Sequence, residues 1–171
     1  IHPIAGKPLI AHSIACALKS SSVSKVVVST DDDAIASAAK EYGAEVLKRP
    51  AELATDTAPE ILAWRHAIDS FPQIFQGANA QPFISLPATS PLRAPQDIDA
   101  AIARFKKGDC DMVFSITPSH RSPYFNMVTI DKDHMLHLGI AGSSATRRQD
   151  TPEMFDITTC VYVGNPAYIK A

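Results

Sequence analysis

Residues 8–47 read PLIAHSIACALKSSSVSKVVVSTDDDAIASAAKEYGAEVL, and this stretch decides the fold. Its apolar residues alternate between helical spacing and short continuous runs rich in valine. Pro8 suits the first turn of a helix, and Gly43 is typical of the residue that ends one. The stretch predicts a helix over 8–19, a strand over 24–29, a helix over 34–42 and a strand over 44–47. Such alternation is typical of an α/β protein.

The same alternation continues as far as Pro118 and then changes. The next predicted elements are a helix over 58–71, a strand over 83–86, a helix over 97–107 and a strand over 112–117. After Pro118 only strands follow, over 124–130, 135–138 and 157–163. We therefore predict a doubly wound, mainly parallel α/β sheet that lacks its opening strand, with an antiparallel excursion, a β arm, inserted before the last core strand. Such sheets bind ligands beyond the C-terminal ends of their strands.

Composition and charge exclude several classes of protein. The 171 residues carry 16 Lys and Arg against 18 Asp and Glu, a net charge of −2, which argues against binding to nucleic acid. No apolar run reaches the ~20 residues of a membrane span, and no basic-then-apolar leader opens the chain. Cys16, Cys110 and Cys160 are an odd number without a CxxC pair, which argues against a disulfide scaffold or a structural zinc site. We expect a single-domain cytoplasmic protein without a membrane partner.

Common catalytic motifs are absent from the sequence. Gly6-Lys7 lacks the first glycine and the preceding strand of a phosphate-binding P-loop. GxGxxG and GxSxG do not occur, and none of the six histidines has a metal-ligand spacing that its predicted element supports.

Arginines on loops are the more informative feature. Arg49, Arg93 and Arg121 lie beside prolines, and Arg147 and Arg148 form a pair. A guanidinium on a stiffened loop can bind carboxylate or phosphate with two parallel hydrogen bonds, which predicts an anionic ligand. The alternative for each is a solvated surface arginine.

Acidic and hydroxyl side chains occur at the predicted rim of the sheet. Asp31 follows the end of a strand, Thr57 precedes a helix, and Thr89 and Ser90 lie in a proline-rich loop. These side chains could contact a ligand, or they could cap helices and form turns.

Five segments, taken in order, resemble the acylneuraminate cytidylyltransferases, also called CMP-sialic acid synthetases. The segments are AGKPLIAHSI (5–14), VVVSTDD (26–32), RPAELATDTA (49–58), TSPLR (89–93) and RRQDTP (147–152). The resemblance implies a nucleotidyltransferase Rossmann-like fold and transfer of CMP from CTP to the anomeric hydroxyl of a sialic-acid-like nonulosonate, with release of pyrophosphate. It also implies Mg²⁺ as cofactor and a homodimer that interlocks through a β arm over 119–159.

The resemblance also assigns residues to two sides of a site. Arg49 matches the family arginine that contacts the nucleotide, and we assign Asp31 and Thr57 to the same side. Arg148 matches an arginine that approaches the sugar acid. Gln149, Thr89, Ser90 and Arg121 complete our prediction for the sugar side. We assign no catalytic residue and no metal ligand.

The sequence departs from the family pattern in several places. The family's opening strand with its SKG loop and its final D-x-D pair are not in this sequence, so we expect 1–171 to be part of a longer polypeptide. Leu86-Pro87-Ala88 replaces the family's Leu-Gln-Pro, and Thr158-Thr159 replaces Asn-Gly, which favours the legionaminate and pseudaminate branch. The alternatives are a CMP-Kdo-type or other sugar nucleotidyltransferase, and a non-catalytic dimerising fragment that binds sugar or nucleotide.

Overall fold

A computed structural model describes residues 2–142 and 147–171, and it contains every helix and strand predicted up to Pro118. The elements are β1 (Pro3–Ile4), β2 (Lys7–Pro8), α1 (Leu9–Lys19), β3 (Val27–Thr30), α2 (Asp33–Glu41), β4 (Glu45–Lys48), α3 (Glu60–Ser70), α4 (Pro72–Phe75), β5 (Phe83–Ser85), α5 (Pro95–Phe105), β6 (Met112–Pro118), β7 (Val128–Ile130), β8 (Leu136–Leu138), β9 (Phe155–Gly164) and α6 (Pro166–Lys170), with 3₁₀ turns at Ala51–Leu53 and Arg148–Asp150.

Helix α2 shows how local sequence fixes the ends of an element. The Asp32 carboxylate accepts a hydrogen bond of 2.7 Å from the Ile35 backbone N–H, as an N-cap residue does. Gly43 follows the helix with φ of +91°, a left-handed conformation that glycine adopts without strain.

The structure differs from the predicted elements where local hydrogen bonds replace regular pairing. The strand predicted over 124–130 begins only at Val128, because the Ser122 carbonyl accepts hydrogen bonds from the N–H groups of Phe125, Asn126 and Met127. Helix α4 (Pro72–Phe75) was not predicted, and it follows the helix predicted over 58–71. Helix α6 was not predicted, and Asn165 caps it through Ala167 N–H at 3.0 Å.

One compact unit contains residues 2–115 and 159–171. Strand β3 runs parallel to β4, with Val27 opposite Glu45. A second sheet has the strand order β5–β9–β6, and β9 runs antiparallel to β5. An antiparallel partner for β5 is not part of the predicted parallel pattern.

Helices cover both faces of the β5–β9–β6 sheet. Ile98 and Ile102 of α5 pack with Val161 and Val163 of β9, and Cys16 of α1 joins this cluster. Tyr162 lies between the two valines and therefore points to the opposite face, where its ring lies 5.6 Å from that of Trp64 on α3. Helices on both faces of a sheet confirm the predicted α/β fold class.

Residues 116–158 form the other compact unit. Strands β7 and β8 pair antiparallel, with Val128 opposite Leu138 and Ile130 opposite Leu136. The Asp131 carboxylate orders the connecting turn by accepting hydrogen bonds of 2.9 Å from the N–H groups of Asp133 and Met135. The predicted arm over 119–159 includes 143–146, which lie outside the described residues. Its role in dimerisation stays a prediction.

Among the residues that the structure describes, no helix combines the length and apolar character needed to cross a membrane.

Candidate functional site

A cleft of about 700 Å³ lies between β3 and β5. Every residue over 22–31 and over 81–88 lines it. Successive side chains of a strand point to opposite faces, so a cavity on one face would be lined by every second residue. Because consecutive residues all line this cleft, it runs along the edges of the two strands. Ile14 of α1 and Ile102 of α5 line the cleft, and so does Trp64 of α3.

The cleft divides the sheet of the larger unit. Within the described part of the chain, β3 is paired with β4 alone and β5 with β9 alone. Each of the two strands therefore has an unpaired edge, whose backbone N–H and C=O groups are open to another chain segment or to ligand.

Arg49 is held at the cleft wall just after β4. Its Nε donates a hydrogen bond of 3.1 Å to Ser29 Oγ, and its Nη2 donates one of 2.7 Å to the Ser29 carbonyl. The Arg49 backbone N–H donates to the Thr30 carbonyl at 2.9 Å, which extends the pairing of β3 with β4 by one residue. A half-buried guanidinium fixed in this way has further N–H groups for an anion.

Asp31 lines the same cleft at the C-terminal end of β3. Lys48 Nζ donates 2.6 Å to the Asp31 carbonyl and 2.8 Å to the Asp33 carboxylate. The hydrogen bond from Lys48 lowers the pKa of Asp33, and the same bond raises the pKa of Lys48. The structure therefore brings the predicted nucleotide-side residues Arg49 and Asp31 to one cleft.

The other predicted residues of this unit lie near the cleft without lining it. Thr57 is exposed, and its hydroxyl lies 3.5 Å from that of Thr55, which does line the cleft. Thr89 and Ser90 follow the lining residue Ala88. Ser90 Oγ lies 3.2 Å from the hydroxyl of Thr159 on β9. The roles of all three stay predictions.

Arg93 was predicted either to present its guanidinium to an anionic ligand or to be a solvated surface arginine, and both predictions are wrong. Its side chain is buried, with 7% of the residue exposed. Its guanidinium donates to the Cys160 carbonyl, the Ser13 hydroxyl and the Pro87 carbonyl. Burial raises the pKa of the nearby Cys16 thiol, which stays protonated and donates 3.3 Å to the Arg93 carbonyl.

The predicted sugar-side residues Arg121, Arg148 and Gln149 belong to the unit 116–158. Arg148 Nη2 donates 3.2 Å to the Ser119 carbonyl. The Ser119 hydroxyl also donates 2.8 Å to the Arg121 carbonyl. Arg147, adjacent to Arg148, donates two bonds of 3.0 Å to the Asp150 carboxylate. Arg148 is thus the member of the pair that is not held by a carboxylate among the described residues.

Residues 2–142 and 147–171 contain no group of three or more His, Cys, Asp or Glu side chains arranged to hold a metal ion. The described residues therefore present no ready-made site for the implied Mg²⁺.

Ser29, Ser85 and Lys48 belong to the site region and were not predicted. Ser29 anchors Arg49, Ser85 lines the cleft from β5, and Lys48 binds the Asp31 carbonyl. Ser29 is the last residue of one predicted strand and Ser85 the last but one of another, and this position was the available signal for both.

Comparisons with known proteins identify the family. The sequence pattern of the family described as "Cytidylyltransferase" matches residues 1–135. The "Post-translational flagellin modification protein B" of Campylobacter coli is 33% identical over 156 residues, which are 91% of this chain and 65% of the relative. The "CMP-N,N'-diacetyllegionaminic acid synthase" of Campylobacter jejuni is 34% identical over 162 residues, 94% of this chain and 68% of that protein.

Among solved structures, a CMP:2-keto-3-deoxy-manno-octonic acid synthetase complexed with CTP matches with a TM-score of 0.71. The match covers 99% of this chain and 68% of that chain at 15% identity, so it supports the fold alone. The family pattern covers more than half of the chain, and the fold and the sequence relatives agree with it. The chain belongs to the cytidylyltransferase family.

Proposed function

We propose that the protein transfers CMP from CTP to the anomeric hydroxyl of a sialic-acid-like nonulosonate. Family membership and the named synthase relative support this reaction. The observation that carries it is Arg49, which two hydrogen bonds to Ser29 fix in the wall of the cleft that Asp31 also lines. A fixed guanidinium at the C-terminal ends of sheet strands is suited to a nucleotide phosphate.

In the reaction, the sugar hydroxyl oxygen forms a bond to the α-phosphorus, and the bond from that phosphorus to the bridging oxygen breaks. The hydroxyl proton is lost and pyrophosphate leaves. Such a transfer depends on in-line positioning and charge stabilisation more than on covalent catalysis. Arg49 binds and orients the triphosphate, and Arg148 binds the sugar carboxylate.

The acceptor that we favour is a sugar of the diacetyllegionaminate type. The Campylobacter jejuni synthase is named for that sugar and matches 94% of this chain. Pro87 stands where many acylneuraminate enzymes have glutamine. A proline has no side-chain hydrogen-bond donor, so the acceptor site must differ at this point.

The protein forms a homodimer through β7 and β8 in this proposal. Val128 and Ile130 lie directly opposite Leu138 and Leu136, so the four side chains share one face of the hairpin. All four are exposed, by 40% to 67%. A second copy of the same hairpin could bury this face, and self-complementary contacts are usual in twofold dimers.

We further propose a cytoplasmic location and a requirement for magnesium. The three cysteines are free, as is usual for proteins of reducing compartments. The triphosphate is the kind of ligand that Mg²⁺ accompanies in other nucleotide enzymes.

Pyrophosphate release by the full-length protein tests the proposed reaction. CTP should support release with a legionaminate-type nonulosonate, and CMP-sugar should form in equal amount. Sialic acid and Kdo are the comparison acceptors, and ATP is the comparison nucleotide. Preference for Kdo would favour the alternative synthetase. If the protein binds CTP but releases no pyrophosphate with any acceptor, the non-catalytic alternative is favoured.

A further inference from the structure

Arg93 is a buried arginine at a junction of three elements in the larger unit. Its Nε donates 2.6 Å to the Cys160 carbonyl of β9, and its Nη1 donates 3.2 Å to the Ser13 hydroxyl of α1. Its Nη2 donates 2.7 Å to the Pro87 carbonyl, at the start of the loop 87–92 that Arg93 directly follows. The guanidinium therefore closes the loop on itself and ties it to β9 and α1.

The charge of Arg93 has no acidic partner in the described part of the chain. The six ion pairs found there do not include Arg93, and the Asp97 carboxylate accepts a hydrogen bond from the Ala94 N–H instead. Burying an ion without a counter-ion is costly unless hydrogen bonds satisfy it. Arg93 is satisfied by one hydroxyl and two backbone carbonyls, so its geometry depends on these acceptors.

The loop that Arg93 closes, 87–92, borders the cleft. Pro87 and Ala88 line the cleft, and Thr89 and Ser90 follow them. The Pro87 carbonyl also accepts a hydrogen bond of 3.4 Å from the Ser90 N–H. Ser90 Oγ lies 3.2 Å from the hydroxyl of Thr159, the neighbour of Cys160. The loop's path thus depends on the two carbonyls that Arg93 holds.

We propose that Arg93 is a positioning residue for the acceptor sugar: by fixing the loop 87–92 it holds Thr89 and Ser90 at the cleft. This inference rests on the proposed function. Arg93 does not contact substrate, and it acts through the loop. A lysine keeps the charge at this position, but it cannot reach three acceptors with the fixed geometry of a guanidinium.

The test compares Arg93→Lys and Arg93→Met with wild type in the full-length protein, at a temperature where circular dichroism shows each variant fully folded. Arg93→Lys should raise KM for the nonulosonate at least about tenfold, since misplacement of a site by 1 Å can cost about a hundredfold. The KM for CTP should stay within about twofold. Amide exchange should accelerate over 88–92 and stay unchanged in α2.

Two controls match the chemistry and the place of the substitution. Arg104→Lys makes the same exchange at the exposed ion pair with Asp109, and Leu92→Ala alters a 97% exposed side chain in the same loop. Both should keep wild-type KM values. Ser13→Ala removes one of the three acceptors and should give a smaller rise than Arg93→Lys.

The outcomes separate this inference from the proposed function. If wild type is active and Arg93→Lys keeps its KM for the nonulosonate, Arg93 is only a structural residue and the inference is overturned. Equal rises in both KM values would also overturn it, because they would indicate general damage to the site. A wild-type protein that forms no CMP-sugar refutes the proposed function itself, and the acceptor role falls with it.

Discussion

Replacing Arg49 by lysine tests the proposed nucleotide site directly. The two hydrogen bonds to Ser29 use two of the five N–H groups of the guanidinium, and the others, which have no partner among residues 2–142 and 147–171, can bind a phosphate. Lysine keeps the positive charge but loses this planar arrangement. A hydrogen bond from a charged donor contributes about 1.5–3 kcal/mol. Loss of one such bond to CTP should therefore raise KM for CTP about 10- to 150-fold.

The assay is the initial rate of pyrophosphate release at saturating nonulosonate, with CTP varied. Arg49→Met should raise KM for CTP further than Arg49→Lys does, because it also removes the charge. Ser29→Ala is the matched control for the anchor: it removes the hydroxyl that accepts from Nε but leaves the carbonyl that accepts from Nη2. It should raise KM by less than Arg49→Lys does. Wild-type KM for CTP in Arg49→Lys would refute the assignment of Arg49 to the nucleotide.

Three further predictions concern stability and assembly. Gly164→Ala should lower the free energy of unfolding by about 1–3 kcal/mol in urea denaturation, because the new Cβ would lie 2.9 Å from Ile169 Cδ1 and closer still to Met112 Sδ; an unchanged midpoint would contradict this packing. Hydrogen bonds, first from the Ser20 hydroxyl and then from Ser22 and Ser21, lower the pKa of Asp99 to about 2. Since the folded pKa is below the unfolded one, this stabilisation is present above about pH 4 and is lost as the pH falls towards 2. The Tm of Asp99→Asn should therefore decline less steeply than the wild-type Tm between about pH 4 and pH 2. Equal declines in the two proteins would refute the stabilising role of Asp99. Ile130→Lys should convert the proposed dimer to a monomer in sedimentation velocity, whereas Lys132→Ala on the adjoining turn should not; a dimer that survives Ile130→Lys would exclude this hairpin face.

Local sequence predicted the elements of the fold better than their arrangement. The run SKVVVS became β3 because three adjacent β-branched residues favour a strand buried on both faces. The antiparallel pairing of β9 with β5 was not predicted, because it joins Phe83 to Gly164 across 81 residues of sequence. Pairings over such distances depend on tertiary packing, which the spacing of apolar residues does not report.

The resemblance identified residues at the cleft that composition could not. Arg49 and Asp31 both line the cleft, because each follows a strand and the carboxyl ends of parallel strands lie at one edge of the sheet. Their role in nucleotide binding stays a prediction. Ser29 was missed because its contribution is to hold Arg49 and is not visible in any motif. The sugar-side residues Arg121, Arg148 and Gln149 belong to the separate compact unit 116–158, and their role stays a prediction.

Leu92 and Arg93 show why side-chain type alone misled the prediction of the loop. Hydropathy places leucine inside and arginine outside, yet Leu92 is 97% exposed and Arg93 is 7% exposed. Arg93 is buried because its acceptors at Ser13, Pro87 and Cys160 converge on one point, and two of them are more than sixty residues away in sequence. A hydrophobic side chain there would leave these acceptors unsatisfied, at a cost of about 1–3 kcal/mol each. The burial of Arg93 thus follows from the acceptors that the fold gathers around the loop, and this is why the loop's geometry should respond to Arg93→Lys although the charge is kept.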